Sequence, residues 1–387
     1  MNPTDSTTRP KSRRRPWLIA ACLAIAIGVT VSAVFVLSST GGSKPSSVVT
    51  ASQTEILPSS GTPSRCIIGV PGQPRPVLDL TYGVLQANTY DVPGGTQGQV
   101  GMCYSAPEGS MFGYANWTAV GGSGYSWMSY PQVTYGVNFW YGPYSTFTGQ
   151  NPDWSLPRNV SSVVEDDAWF TTQYSIHPPP SRDVDGYDLS LDDFLTESWP
   201  SYFEVGPFVE VEMFLAHNIS YPFEWIHWST PTLVNGTIVS EPWDVAWWCH
   251  GPDNSSNANV SFDFSLGGQD TQGLTSGTVG VNVSAVLREV EQLMPSVGCW
   301  TGPTNGFSSF HLDEANLGSE DGAMAGSSFN YNWTIVRYCL TTNVGLPTAT
   351  SVSCSSVSSS DTATPDATAP PPWTDMAAAT VVRVRPS

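Results

Sequence analysis

The chain has 387 residues, with 33 acidic side chains against 14 basic ones and a net charge of −19. Between Arg65 and Thr342 stand 28 Asp and Glu, six Arg and no Lys, a balance of −22 that excludes nucleic-acid binding, which needs clustered Lys and Arg. Self-repulsion of that size opposes a compact state at neutral pH and is relieved by protonation, so the composition points to an acidic working environment.

Arg13, Arg14 and Arg15 precede an uncharged apolar run from Trp17 to Leu37. Its 21 residues can span a bilayer, whereas the apolar region of a cleaved signal usually runs about 7 to 15. Residues 1–16 therefore read as a basic cytoplasmic tail and 17–37 as a membrane anchor or signal segment. Everything beyond is expected at the cell surface or outside the cell. Residues 38–64, rich in Ser, Thr, Pro and Gly, read as a linker, and 343–387, of similar composition, as a low-complexity tail. The span 65–342 between them is read as one domain, since sandwiches of this size routinely form one.

Within that span short alternating runs are separated by Gly, Pro and Ser clusters, the spacing of an all-β sandwich. Residues 80–92 alternate around a polar tip at Asn88. Residues 101–146 crowd seven aromatics, from Trp127 to Tyr144, most of them expected in the core and Trp140 foremost among those able to line a cleft. In DLSLDDFLT (188–196), Ser190, Asp192 and Phe194 share one face and Leu189, Leu191 and Leu195 the other, with Asp193 breaking the apolar face. In FVEVEMFLAHN (208–218), Val209, Val211, Met213 and Leu215 face a core, while Phe208, Glu210, Glu212 and Phe214 line the opposite face. Alternation alone fits a solvated sheet face equally well. Residues 283–294 place Val283, Val286, Leu287, Val290, Leu293 and Met294 at helical spacing, so one amphipathic helix is expected there.

Six cysteines follow the apolar run, an even number on the oxidising side of a membrane, and their spacings match no zinc signature. Disulfides are expected, with Cys354 tying the start of the tail back to Cys339. Asn116, Asn159, Asn218, Asn235, Asn254, Asn259, Asn282 and Asn332 each open an N-x-S/T sequon, open to glycosylation in an exported glycoprotein.

Several of these segments, in this order, resemble glycoside hydrolase family 12, the cellulase and xyloglucanase jelly rolls, closest to its archaeal members. FVEVEMFL resembles the family's E-[LV]-M-I-W-L strand, and FHLDEANLGSEDG (310–322) the late strand ending in G-[ST]-E-x-G. SYPQVTYGVNFW (129–140) resembles Y-P-x-[IV]-x-Y-G, and DLSLDDFLT the strand [SA]-Y-D-[IL]-[WF]-L. The resemblance implies a β-jelly-roll sandwich of two antiparallel sheets with a concave cleft and one packed helix. It places Glu210 at the nucleophile position, Glu320 at the acid/base position and Asp192 at that of an Asp bonded to the nucleophile. Asn88 and Tyr90 match a cleft-floor N-x-W with Tyr for Trp, and Phe214 stands where the family has Trp. Glu212 shares the face of Glu210 and is itself the nucleophile if the register slips by one pleat.

The activity implied is a retaining endo-β-1,4-glucanase acting on cellulose, xyloglucan or mixed-linkage β-glucan, with no metal or organic cofactor. A monomer is expected, anchored to the membrane by its N-terminal apolar run or released from it. Cys66 with Cys103, and Cys249 with Cys299, are the pairings the resemblance suggests. A non-catalytic surface lectin of the same shape is the alternative, and a jelly-roll acid protease a more remote one for want of a partner Gln beside either motif.

Overall fold

Alternation of apolar and polar residues builds two stacked sheets. The first runs, in spatial order, through Val77–Asp79, Val84–Gln86, Gln132–Gly136, His311–Gly318, Asp185–Thr196, Phe208–His217, Asn259–Leu266, Thr237–His250 and Ile226–Val234. Every pairing in it is antiparallel except that of Phe208–His217 with Asn259–Leu266. The second sheet runs through Ser276–Asn282, Trp169–His177, Phe329–Thr342, Ser110–Ala119, Gln97–Ser105 and Arg65–Gly69. Leu233 and Val234 pair with Gly280 and Val279, so one strand passes from the first sheet to the second.

The protein is described from a computed structural model covering residues 52–57, 64–105, 109–137, 153–178, 185–197, 207–218, 224–250, 259–268, 273–300, 302, 307, 309–354 and 380–381. All belong to one unit, Val49–Ser387. Trp140, Asn254, the 17–37 run and most of the linker and tail lie outside them. Among the described residues no helix is long and apolar enough to cross a membrane.

The space between the sheets is filled as the alternation requires. Leu189, Leu191, Leu195, Val209, Val211, Met213 and Leu215 enter it from the first sheet, and Phe170, Tyr174, Tyr331, Trp333 and Ile335 from the second. The expected helix forms over Val283–Leu293, with the Asn282 side chain accepting from the Ala285 amide as its N-cap. Its Val283, Val286, Leu287 and Val290 join the same core. A second, short helix, Val160–Glu165, precedes the strand Trp169–His177. The bond from Ser284 Oγ to the Val163 carbonyl (2.7 Å) joins the two helices.

Two boundaries move. Ser52–Glu55, inside the expected linker, forms a strand against Cys339–Thr342, and Ile56 and Leu57 are buried in the core. At the other end Ala349–Val352 forms a helical turn with Val352 buried, and Cys354 closes a disulfide to Cys339. The folded part thus extends to Ser52 and Cys354: the Ile56 amide donates to the Tyr338 carbonyl on the final strand (2.8 Å), while Val352 packs against Trp169 and Leu233 and its carbonyl accepts from Thr171 Oγ1 (2.6 Å). Cys66 with Cys103 and Cys249 with Cys299 complete the disulfides among the described residues.

Asp193 does break the core face. It is fully buried between Leu191 and Leu195, beside Val211 and Ala315 on the neighbouring strands, and neither carboxyl oxygen has a hydrogen-bond partner. Burial raises its pKa well above the usual carboxylate range, which favours the neutral acid at this position. Replacing it by near-isosteric, non-titrating Asn (Asp193→Asn) is expected to raise Tm at pH 8 relative to the parent and to flatten Tm against pH, measured by circular dichroism. An unchanged slope between pH 5 and 8 would contradict this account.

Candidate active site

The face of the first sheet turned away from the core carries the chemistry. Across three neighbouring strands Asp263, Glu212 and Asp192 stand side by side, and the row continues to Asn316 and Thr134. One pleat along, the corresponding row is Ser261, Glu210, Phe194 and Glu314. One pleat the other way stand Ser265, Phe214, Ser190 and Gly318. The pattern follows from period-two alternation once register is set.

Register is set by two irregularities. A bulge in Phe208–His217 brings Ser190 opposite Phe214 and Asp188 opposite His217. The chain leaves His311–Gly318 at Ser319 and re-pairs over Asp321–Met324 with the start of the same partner strand, Asp185–Tyr187. Asp188 and Glu320 therefore meet backbone to backbone, the Asp188 amide donating to the Glu320 carbonyl (3.2 Å). The Glu320 amide in turn donates to Asp188 Oδ1 (3.2 Å).

One carboxylate oxygen from each of Asp188, Glu212 and Glu320 lies within 4.8 Å of the other two, the one such cluster among the described residues. Ser190 Oγ bridges two members, 3.2 Å from Asp188 Oδ1 and 3.1 Å from Glu212 Oε1. A hydroxyl has one proton, so the second of these contacts is a hydrogen bond only when that carboxyl keeps its own. The Tyr90 hydroxyl donates to Glu320 Oε1.

Burial, then the Asp188 and Glu320 charges, push the Glu212 pKa well above the usual range. Burial, then Asp188, do the same to Glu320, opposed by the Tyr90 hydroxyl, which favours the ionised form. Asp188 is raised to about 7 by burial, against the Glu320 amide and the Ser190 hydroxyl. Asp192 and Asp263 are raised too, by burial first and the Glu210 charge second. No cation answers them: the ion pairs among the described residues are Arg158–Asp166 and His227–Asp244, neither in this group. Three carboxylate oxygens could begin a hard-cation site, but calcium takes about six to eight oxygens, and the cluster supplies one from each of three residues.

The residues singled out from sequence fall as follows. Glu320 is in the cluster. Glu210 shares the face but stands one pleat off, opposite Phe194, its Oε2 taking the Ser261 hydroxyl, and Glu212 occupies the place beside Glu320. Asp192 flanks Glu212 laterally, and the carboxyl in the cluster is Asp188. Asn88 is buried and its side-chain oxygen has no partner. Tyr90 bonds Glu320. Phe214 is fully buried, tilted against His217, whose Nε2 bonds Ser265 Oγ (2.9 Å). Sequence reasoning missed Asp188, Ser190 and Asp263. The signal for Asp188 was present, since Tyr187-Asp188-Leu189 itself matches Y-D-[IL].

No family model matches this chain, and no curated protein matches it. Among solved structures, the native family 12 xyloglucanase from Bacillus licheniformis is similar, with a TM-score of 0.46 at 13% identity over 76% of this chain and 100% of that one. The Trichoderma harzianum endoglucanase 3 from family 12 gives 0.43 at 14% identity over 72% and 97%. The family 11 xylanase from Neocallimastix patriciarum gives 0.42 at 11% identity over 72% and 100%. The likeness is one of overall architecture.

Proposed function

We propose that this protein is a retaining endo-β-1,4-glucanase of the cellulase and xyloglucanase kind, working at the cell surface or outside the cell, with Glu212 as nucleophile and Glu320 as acid/base. The observation that carries the reading is the approach of the Glu212 and Glu320 carboxyl oxygens to within 4.8 Å on one sheet face. Retaining pairs stand about 5 to 5.5 Å apart, whereas inverting pairs stand about 6.5 to 9.5 Å apart to admit a water. The order of motifs along the sequence supports a β-glucan as the substrate.

In this mechanism ionised Glu212 attacks the anomeric carbon while Glu320 passes its proton to the departing glycosidic oxygen. A glycosyl ester on Glu212 results. Glu320, now ionised, takes a proton from water, whose oxygen attacks the same carbon and frees Glu212. The first step needs Glu212 ionised and Glu320 protonated, and the second needs Glu320 ionised while Glu212 is held as the ester. Like charges this close resist double ionisation, so between the loss of the first proton and the last the cluster holds that mixed state. Asp188 and Ser190 position Glu212, and Tyr90 fixes the rotamer of Glu320.

The test is hydrolysis of cellulose, xyloglucan and mixed-linkage β-glucan by the purified protein, with the anomeric configuration of fresh product followed by proton NMR. Hydrolysis giving first the β-anomer, unaffected by a chelator, is the expected result. Binding without hydrolysis would favour a lectin, and first appearance of the α-anomer would exclude the double displacement.

A further inference from the structure

We propose that Tyr125 and Trp127 form a carbohydrate-stacking platform beside Glu320, holding a pyranose ring next along the chain from the scissile bond; this rests on the glycosidase reading above. Tyr125–Ser129 pairs antiparallel with Asp321–Met324, Trp127 lying opposite Gly322 and Tyr125 opposite Met324. Alternation sends Asp321 and Ala323 inward, where Asp321 takes the Ser129 hydroxyl and the Trp117 ring N–H (2.5 Å). Glu320, Gly322 and Met324 are left on the other face. Two residues along a strand is about 6.6 Å, so Gly322 lies one short step from the acid.

At Gly322 a Cβ would sit 2.6 Å from the Tyr125 hydroxyl oxygen and 2.9 Å from a carbon of the Trp127 ring. Both rings therefore lie across the strand at the one position that lacks a side chain. Their centroids are 5.5 Å apart and their planes meet at 85°, so together they make a corner with a floor and a wall. Tyr125 is 42% exposed and Met324 39%, while Trp127 is half-buried, so this aromatic pair is held in place from below and open from above.

Ring faces opened to water next to an acid/base carboxyl suit a pyranose, which offers an apolar C–H face and polar edges. Met324, opposite Tyr125 on the same face, adds an apolar edge. A neutral glycan ring continuing from the bond that Glu320 protonates is the occupant these observations favour.

The test compares cellohexaose hydrolysis by the parent protein and by the Tyr125→Ala, Trp127→Ala double variant, with circular dichroism and Tm as folding controls. Loss of ring stacking is expected to raise KM about tenfold with kcat changed less than about twofold, and Trp127→Phe is expected to restore most of the affinity. Tyr125→Ala alone, at an exposed ring, serves if the double variant does not fold, and should give a smaller rise in KM. An active parent whose KM is untouched by these substitutions would overturn the platform and leave the glycosidase reading standing. A parent that hydrolyses no β-glucan or cello-oligosaccharide would overturn both.

Discussion

Glu212→Gln is expected to lower kcat on a β-glucan roughly 10³-fold or more, because the amide neither attacks the anomeric carbon nor leaves from it. Glu320→Gln should cost about 10²- to 10⁴-fold, the usual worth of a positioned general acid. Glu210→Gln, by contrast, should cost less than about tenfold, since that side chain stands one pleat away, takes the Ser261 hydroxyl, and its charge bears on Glu320 from that distance. The ranking separates the two glutamates that alternation alone leaves equivalent. Azide supplies a second readout. In Glu212→Ala the vacated carboxylate space admits a small anion, which attacks the anomeric carbon from the nucleophile's side and yields an α-glycosyl azide. Rescue of Glu210→Ala in its place would move the nucleophile back by two residues.

The second large effect is on stability against pH. Asp188, Asp313 and Asp321 are pushed to about 7, chiefly by burial. Asp192, Asp193, Glu212, Asp263 and Glu320 are raised well above the usual carboxylate range, again chiefly by burial. In the unfolded chain such groups titrate near about 4, so between pH 4 and 7 the folded state binds more protons than the unfolded one. Stability contributed by these protons is fully present below about pH 4 and is lost as pH rises through the folded values. Among the described residues the partly exposed Arg158–Asp166 pair, worth about 1 kcal/mol at most, is too weak to reverse the sign. The expected result is a Tm that falls by roughly 10 °C or more between pH 4.5 and pH 8, read by calorimetry or circular dichroism. High salt should restore little of it, because screening acts on surface charges and these groups are buried. A Tm that is highest at or above pH 7 would refute both this account and the acidic working environment inferred from composition.

What the amino-acid sequence determined is which side chains share a face. Period-two alternation assigned the core residues of 188–196 and 208–217 correctly, and 3.6-residue spacing marked the helix at 283–293, because both patterns are local and are imposed by burying one side of an element. Composition likewise announced a carboxyl-rich domain with almost no cations. Only the tertiary structure decided where along the shared face the carboxyls meet. Glu210 and Glu212 are indistinguishable by alternation, and so are Asp188 and Asp192. The choice between them rests on a bulge beside Leu215 and on the re-pairing that sets Glu320 against Asp188, a contact between residues 132 apart in the chain. The same holds for the platform, where a glycine matters only because two rings on another strand cross above it. It holds also for Ser52–Glu55, too short to read as a strand until the final strand offers it an edge. Side-chain direction is fixed by the backbone of each strand, but register is fixed by pairing between distant segments, and a catalytic cluster depends on register.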